Sequence, residues 1–242
     1  GASTAGILAG DMAYFSGMDD RTKDGAHPDS FKDRMKQTMK NTESALKAAG
    51  LGFGNAVMMH VFLDDPENYD AAMKVYGGFF KKGSEPALAV IPVDWIPGDS
   101  RVLVTCWAVR DMKKKKVVLT GDISSAIIPK NASPAVWAGD TLYLSALEGI
   151  TTGNMTGDVG GQVRLMAENH KKVLDAAGLG NSDIVSGHVY LKTIDDYAPM
   201  NNVYKEFYSA GPGVRTCLMP SSKGIGGPAM VRASFIAAKT KQ

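Results

Sequence analysis

The chain has 242 residues, 44% hydrophobic and 21% charged, with a formal net charge of +2. So small a charge argues against nucleic acid as the main partner, and no apolar run reaches the roughly 18 residues that a membrane helix needs. The chain starts at Gly1 and not at a methionine, so a preceding piece is expected to have been removed.

Ala9-Gly10-Asp11 is a turn signal, and Met12 to Ser16 reads as a short strand leaving it. Asp19 to Pro28 is a polar surface loop. Ser30, with Asp33 three residues on, is placed to cap a helix whose apolar face is Phe31, Met35, Met39, Leu46 and Ala49. Gly50 and Gly52 stop that helix. Val57 to Leu63 is rich in strand formers. Tyr69, Met73, Tyr76, Phe79 and Phe80 then recur at helical spacing and are expected to be core. Pro86–Ile91 and Val102–Val109 read as two further strands.

Asp111 to Lys116, with four consecutive lysines, reads as a solvated linker. Past it the chain repeats itself. Ala48-Ala49-Gly50-Leu51-Gly52 returns as Ala176-Ala177-Gly178-Leu179-Gly180, and His60-Val61-Phe62-Leu63 returns as His188-Val189-Tyr190-Leu191, both 128 residues on. Gly10-Asp11 and Ser16 match Gly139-Asp140 and Ser145 at a spacing of 129. So long a period means a duplicated domain, since solenoid repeats have periods of roughly 20–50 residues. The domains are expected over residues 1–111 and 117–242. The second carries a lead-in, Val117 to Trp137, and the first is expected to lack its opening strand. Each unit reads as strand, strand, helix, strand, helix, strand, strand. That is an α+β fold, with both helices on one face of a mainly antiparallel sheet.

Neither copy has a phosphate loop, a G-x-S-x-G elbow or a metal-spaced His/Cys/carboxylate cluster, so no metal or cofactor is expected. Cys106 and Cys217 are too few for a disulfide scaffold and leave the redox compartment open. Both are expected to be reduced and packed as small apolar residues. His60 and His188, at equivalent strand positions, are expected to be structural. Lys223 to Pro228 reads as a turn between the last two strands. What remains is Gly211-Pro-Gly-Val-Arg215-Thr-Cys217-Leu-Met-Pro220, where an arginine opens a short apolar strand. Its guanidinium is a rigid fork suited to a carboxylate or phosphate, and pairing with a nearby surface acid is the other reading.

The order G-D-x-x-Y-x-S, A-A-G-L-G, H-V-[FY]-L, Y-x-x-F-[FY] and G-V-R-T-C resembles the Rid family of reactive-intermediate (enamine/imine) deaminases, also called YjgF-like proteins or L-PSP endoribonucleases. The likeness covers essentially the whole chain, twice. It implies a chorismate-mutase-like fold in each copy, a homo-oligomer (a trimer of two-domain chains), and ligand sites in clefts between adjacent domains. It also implies that Arg215 holds a substrate carboxylate as the catalytic anchor, with Thr216 and Cys217 lining the wall. Ser16 and Ser145 match a serine that lines the cleft.

The implied chemistry is hydrolysis of small carboxylate-bearing enamines, through the imine, to a 2-keto acid and ammonia. The first copy has Ala87 or Leu88 at the arginine's position, and its pocket is expected to hold no anion. The family's last-strand glutamate falls near Thr105 and Ser234, which leaves a non-catalytic carboxylate-binding protein as the alternative. RNA cleavage, implied by the family's other name, finds no paired histidines or basic aromatic groove here.

Overall fold

The repeated segments fold twice into one unit, in a computed structural model that describes residues 4–121, 123, 128–150, 157–209 and 213–239. The first unit runs β1 (Gly6–Ala9), β2 (Met12–Met18), α1 (Phe31–Ala48), β3 (Ala56–Leu63), α2 (Tyr69–Gly77), β4 (Ala87–Pro92) and β5 (Val102–Val109). The second runs β6 (Lys115–Val118), β7 (Ala135–Ala138), β8 (Thr141–Glu148), α3 (Val159–Ala177), β9 (Ile184–Leu191), α4 (Tyr197–Tyr208), β10 (Val214–Leu218) and β11 (Val231–Ala238). The sheet orders are β1-β2-β5-β3-β4 and β10-β9-β11-β8-β7-β6. Read in opposite directions they are the same sheet, with β6 the extra strand that the lead-in supplies. Pairing is antiparallel except at β3–β4 and β9–β10, where a helix crosses over between parallel neighbours.

Local chemistry sets the ends of the helices. Ser30 Oγ accepts the Asp33 N–H at 3.1 Å to start α1, and Asp158 accepts the Gly161 N–H at 2.8 Å to start α3. Gly50 and Gly178 follow the two helices with φ of 72° and 74°, a left-handed conformation that only glycine adopts freely. On one face of each sheet the helices close a core. Met35, Met39, Met59, Met73 and Tyr76 belong to the first, and Val163, Met166, Leu174, Leu144 and Phe235 to the second. The aromatic stripe of α2 is core, as its spacing implies: Tyr76 is fully buried, and Phe79 and Phe80 pack edge-on against Phe53. Cys106 lies within the first core and Cys217 packs against the second, both as free thiols. Burial pushes Cys106 up to about 12, which keeps it a thiol at neutral pH.

The opposite faces meet each other. Val57, Ala87, Ala89 and Ile91 from the first sheet pack on Val136, Tyr143, Ala146 and Tyr190 from the second. The lysine run, expected to be a solvated linker, is part of this structure. Lys115 and Lys116 begin β6, and Lys115 Nζ donates to the carbonyls of Gly54 and Ser84 at 2.9 and 3.0 Å. Burial there lowers its pKa to about 8.

His170, in the middle of α3, is fully buried with its ring edge on Phe235 at 4.6 Å, and its Nδ1 lies 2.9 Å from the Met166 carbonyl. Burial lowers its pKa from 6.5 to about 4, so the ring is neutral in the folded chain. The unfolded chain takes up a proton near pH 6.5 that the folded chain refuses until near pH 4. Stability from this group is therefore complete above pH 6.5 and declines as the pH falls toward 4. By pH 5 the loss is about 2 kcal/mol. Urea midpoints at pH 7 and pH 5 check this: His170→Gln should show a smaller acid loss than the parent chain.

Candidate functional site

Arg215 sits on β10, the edge strand of the second sheet. Its guanidinium carbon lies 4.6 Å from the centre of the Tyr204 ring on α4, a cation–π contact. Among the described residues it has no carboxylate partner. Burial raises the Tyr204 hydroxyl to about 12, with Arg215 opposing the rise, so the tyrosine stays neutral beneath the cation. Thr216 is exposed, and Cys217 is half-buried, its thiol also raised by burial. Gly211 and Pro212, which open this segment in the sequence, lie outside the described residues.

The strand registers identify the counterpart of Arg215. His60 is opposite Ala89 on β4, and His188 is opposite Thr216 on β10, so Arg215 corresponds to Leu88 and Val214 to Ala87. Leu88 is fully buried, with its side chain in the first core. Its backbone N–H donates to Ser145 Oγ at 2.8 Å, and that hydroxyl donates to the Ser133 carbonyl at 2.6 Å. Ser145 thus closes the seam between β4 and β8.

Ser145 and Arg215 do not share a site within the chain. Strands β11 and β9 stand between theirs, a separation of about 14 Å. Ser16 repeats the local geometry of Ser145, its hydroxyl donating to the Thr4 carbonyl at 2.5 Å, but on an exposed surface with no strand docked on it among the described residues. Replacing Ser145 by alanine would strand the buried Leu88 N–H. The expected cost is about 1–3 kcal/mol, read as a lower urea midpoint.

Thr105 and Ser234 occupy equivalent register positions, opposite His60 and His188. The His60 ring nitrogen is 3.0 Å from the Thr105 hydroxyl. Burial, aided by the nearby His188 ring, lowers His60 to about 4, so at neutral pH it is an uncharged ring within a cluster with Phe62 and Trp107. Among the described residues no group of three His, Cys, Asp or Glu could hold a metal, and no helix is long and apolar enough to cross a membrane.

One cluster went unseen in the sequence. Arg232 on β11 stands directly across from Glu148 on β8 and is only 7% exposed. Its Nε donates to Glu148 Oε1 at 2.9 Å, its Nη2 bonds the same oxygen, and its Nη1 crosses the seam to the Val90 carbonyl at 2.8 Å. Arg232, Glu148 and Tyr69 of α2 border one cavity. An arginine in the apolar run Val-Arg-Ala-Ser-Phe-Ile was the only sequence signal.

The profile of the endoribonuclease L-PSP family matches residues 3–110 and again 125–220. The chain belongs to that family, the Rid family, with two copies in tandem. A RutC family protein of Pyrococcus horikoshii is 35% identical over 107 residues, which is 43% of this chain and 83% of the relative. A 2-iminobutanoate/2-iminopropanoate deaminase of Dermatophagoides farinae is 31% identical over 94 residues, 36% of this chain and 73% of that protein. Among solved structures, Escherichia coli TdcF with bound serine has a TM-score of 0.44 and 26% identity, covering 46% of this chain and 90% of its own. The Rid motifs read from the sequence therefore mark a true duplication, and the α+β fold with its paired helices is the one they imply.

Proposed function

We propose that this Rid protein is an imine/enamine deaminase acting on small carboxylate-bearing substrates at Arg215. The observation that supports this reading most directly is the guanidinium itself. It is stacked on Tyr204 and has no acid to neutralise it among the described residues. A bidentate grip on the substrate carboxylate would fix the adjacent carbon and draw electron density from it. The enamine tautomerises to the imine, water adds to the C=N carbon, and the C–N bond breaks to leave a 2-keto acid and ammonia.

The cleft needs a second copy of the chain. Inside the chain, Ser145 bonds the backbone N–H of Leu88, the counterpart of Arg215. Ser16, the counterpart of Ser145, is exposed and free to receive the Arg215 strand of a neighbour in the same way. Thr216 and Cys217 then line the cleft with Ser16 across from them, in an assembly of three chains and six domains.

The test supplies 2-aminoacrylate from a coupled dehydratase and follows keto acid and ammonia. Release faster than in buffer, and lost in Arg215→Ala, supports the deaminase. Buffer-rate release together with Arg215-dependent binding of pyruvate would replace it with the non-catalytic carboxylate binder, a reading favoured by Ser234 at the position of the family glutamate.

A further inference from the structure

A cavity of about 370 Å³ lies between the two copies, bordered by β4 beyond the Ser145–Leu88 contact. That volume suits a small metabolite. Leu63, Val90, Ile128, Ile150 and Ile225 give it apolar walls, and Arg232, Glu148 and Tyr69 supply the polar groups. Arg215 is not among its walls.

The polar groups are only partly spent on one another. Arg232 uses three of its N–H groups, two on Glu148 Oε1 and one on the Val90 carbonyl, and a guanidinium has five. Both bonds to Glu148 converge on Oε1, so Oε2 has no protein donor among the described residues. The Tyr69 hydroxyl accepts the Lys130 N–H at 3.0 Å and still has its own proton to give. Burial raises its pKa, which keeps that proton in place. At the rim, Lys130 and Asp70 pair with each other at 2.7 Å.

An anion entering this cavity meets Glu148, and a cation meets Arg232. Either one upsets a charge pair that is already balanced and poorly hydrated. A ligand carrying both charges side by side upsets neither. We propose that the cavity between the copies binds an α-amino acid with an apolar side chain, its carboxylate on Arg232 and the Tyr69 hydroxyl and its ammonium on Glu148 Oε2. The side chain lies among Val90, Ile150 and Ile225. The proposal is independent of the deaminase reading, because the sites share no residue.

Isothermal titration of the full chain with L-valine tests it, beside 3-methylbutanoate, which lacks the ammonium, and 2-methylpropylamine, which lacks the carboxylate. Valine should bind once per chain, and each analogue should bind at least about tenfold more weakly. Tyr69→Phe removes one donor without touching the charge pair and should weaken valine several-fold. Ile150→Trp fills the cavity and should abolish binding while the thermal melt stays cooperative. Arg215→Ala should leave valine binding unchanged. Equal affinity for valine and 3-methylbutanoate would overturn the proposal, as would no heat at about 10 mM valine. So would valine binding that survives both Tyr69→Phe and Ile150→Trp, or that depends on Arg215.

Discussion

Arg215→Ala is expected to lower kcat/KM for 2-aminoacrylate by about 100-fold or more. Hydrogen bonds to charged groups contribute about 1.5–3 kcal/mol, and each 1.36 kcal/mol is a factor of ten in rate. Two such bonds are at stake in a bidentate grip, along with the alignment of the carbon that water must attack. Arg215→Lys should recover only part of the loss, because a point charge on a flexible stem cannot reproduce a planar fork on Tyr204. Stability should change little in either variant, since the side chain is only half-buried and stacks on the Tyr204 ring. Steady-state kinetics beside a urea melt separates the two effects. Equal rates for parent and Arg215→Ala would remove the arginine from the chemistry.

The second large effect is on stability. Glu148→Ala should cost about 3–5 kcal/mol, because it leaves the Arg232 guanidinium buried without its counter-charge. For a chain of this length each kcal/mol is worth about 2–4 °C, so the melting point should fall by about 10 °C. Replacing both residues together, Glu148→Leu with Arg232→Met, should restore most of the loss, since the desolvation cost disappears with the pair. A double-mutant cycle on melting temperature checks this, and a double variant as unstable as Glu148→Ala would contradict it.

Much of this fold was legible because the sequence states it twice. The helix of Met35, Met39 and Leu46 and the strand of Val57 to Leu63 each had a second copy against which to check their period and their glycine stops. Arg215 was legible too, as a charge opening an apolar strand. The parts that escaped depend on which strands become neighbours. Whether Ala87 or Leu88 corresponds to Arg215 is decided by the register of β4 on β3, which no spacing along the chain gives. Arg232 and Glu148 lie 84 residues apart and meet only because β11 and β8 pair. Lys113, Lys114 and Lys116 are exposed as their charge implies, whereas the stem of Lys115 is long enough to carry its ammonium to two backbone carbonyls.

The seam between β4 and β8 joins two halves of one chain. A tether makes such an encounter unimolecular, with an effective concentration in the millimolar range however dilute the protein. Copy one therefore keeps its neighbour at any expression level, and Leu88 can stay a core residue without weakening the association. A second chain seated on β10, as proposed for the Arg215 cleft, would have no tether and would obey mass action. A cell could thus tune the two edges separately, one by the gene that encodes the linkage and the other by how much protein it makes.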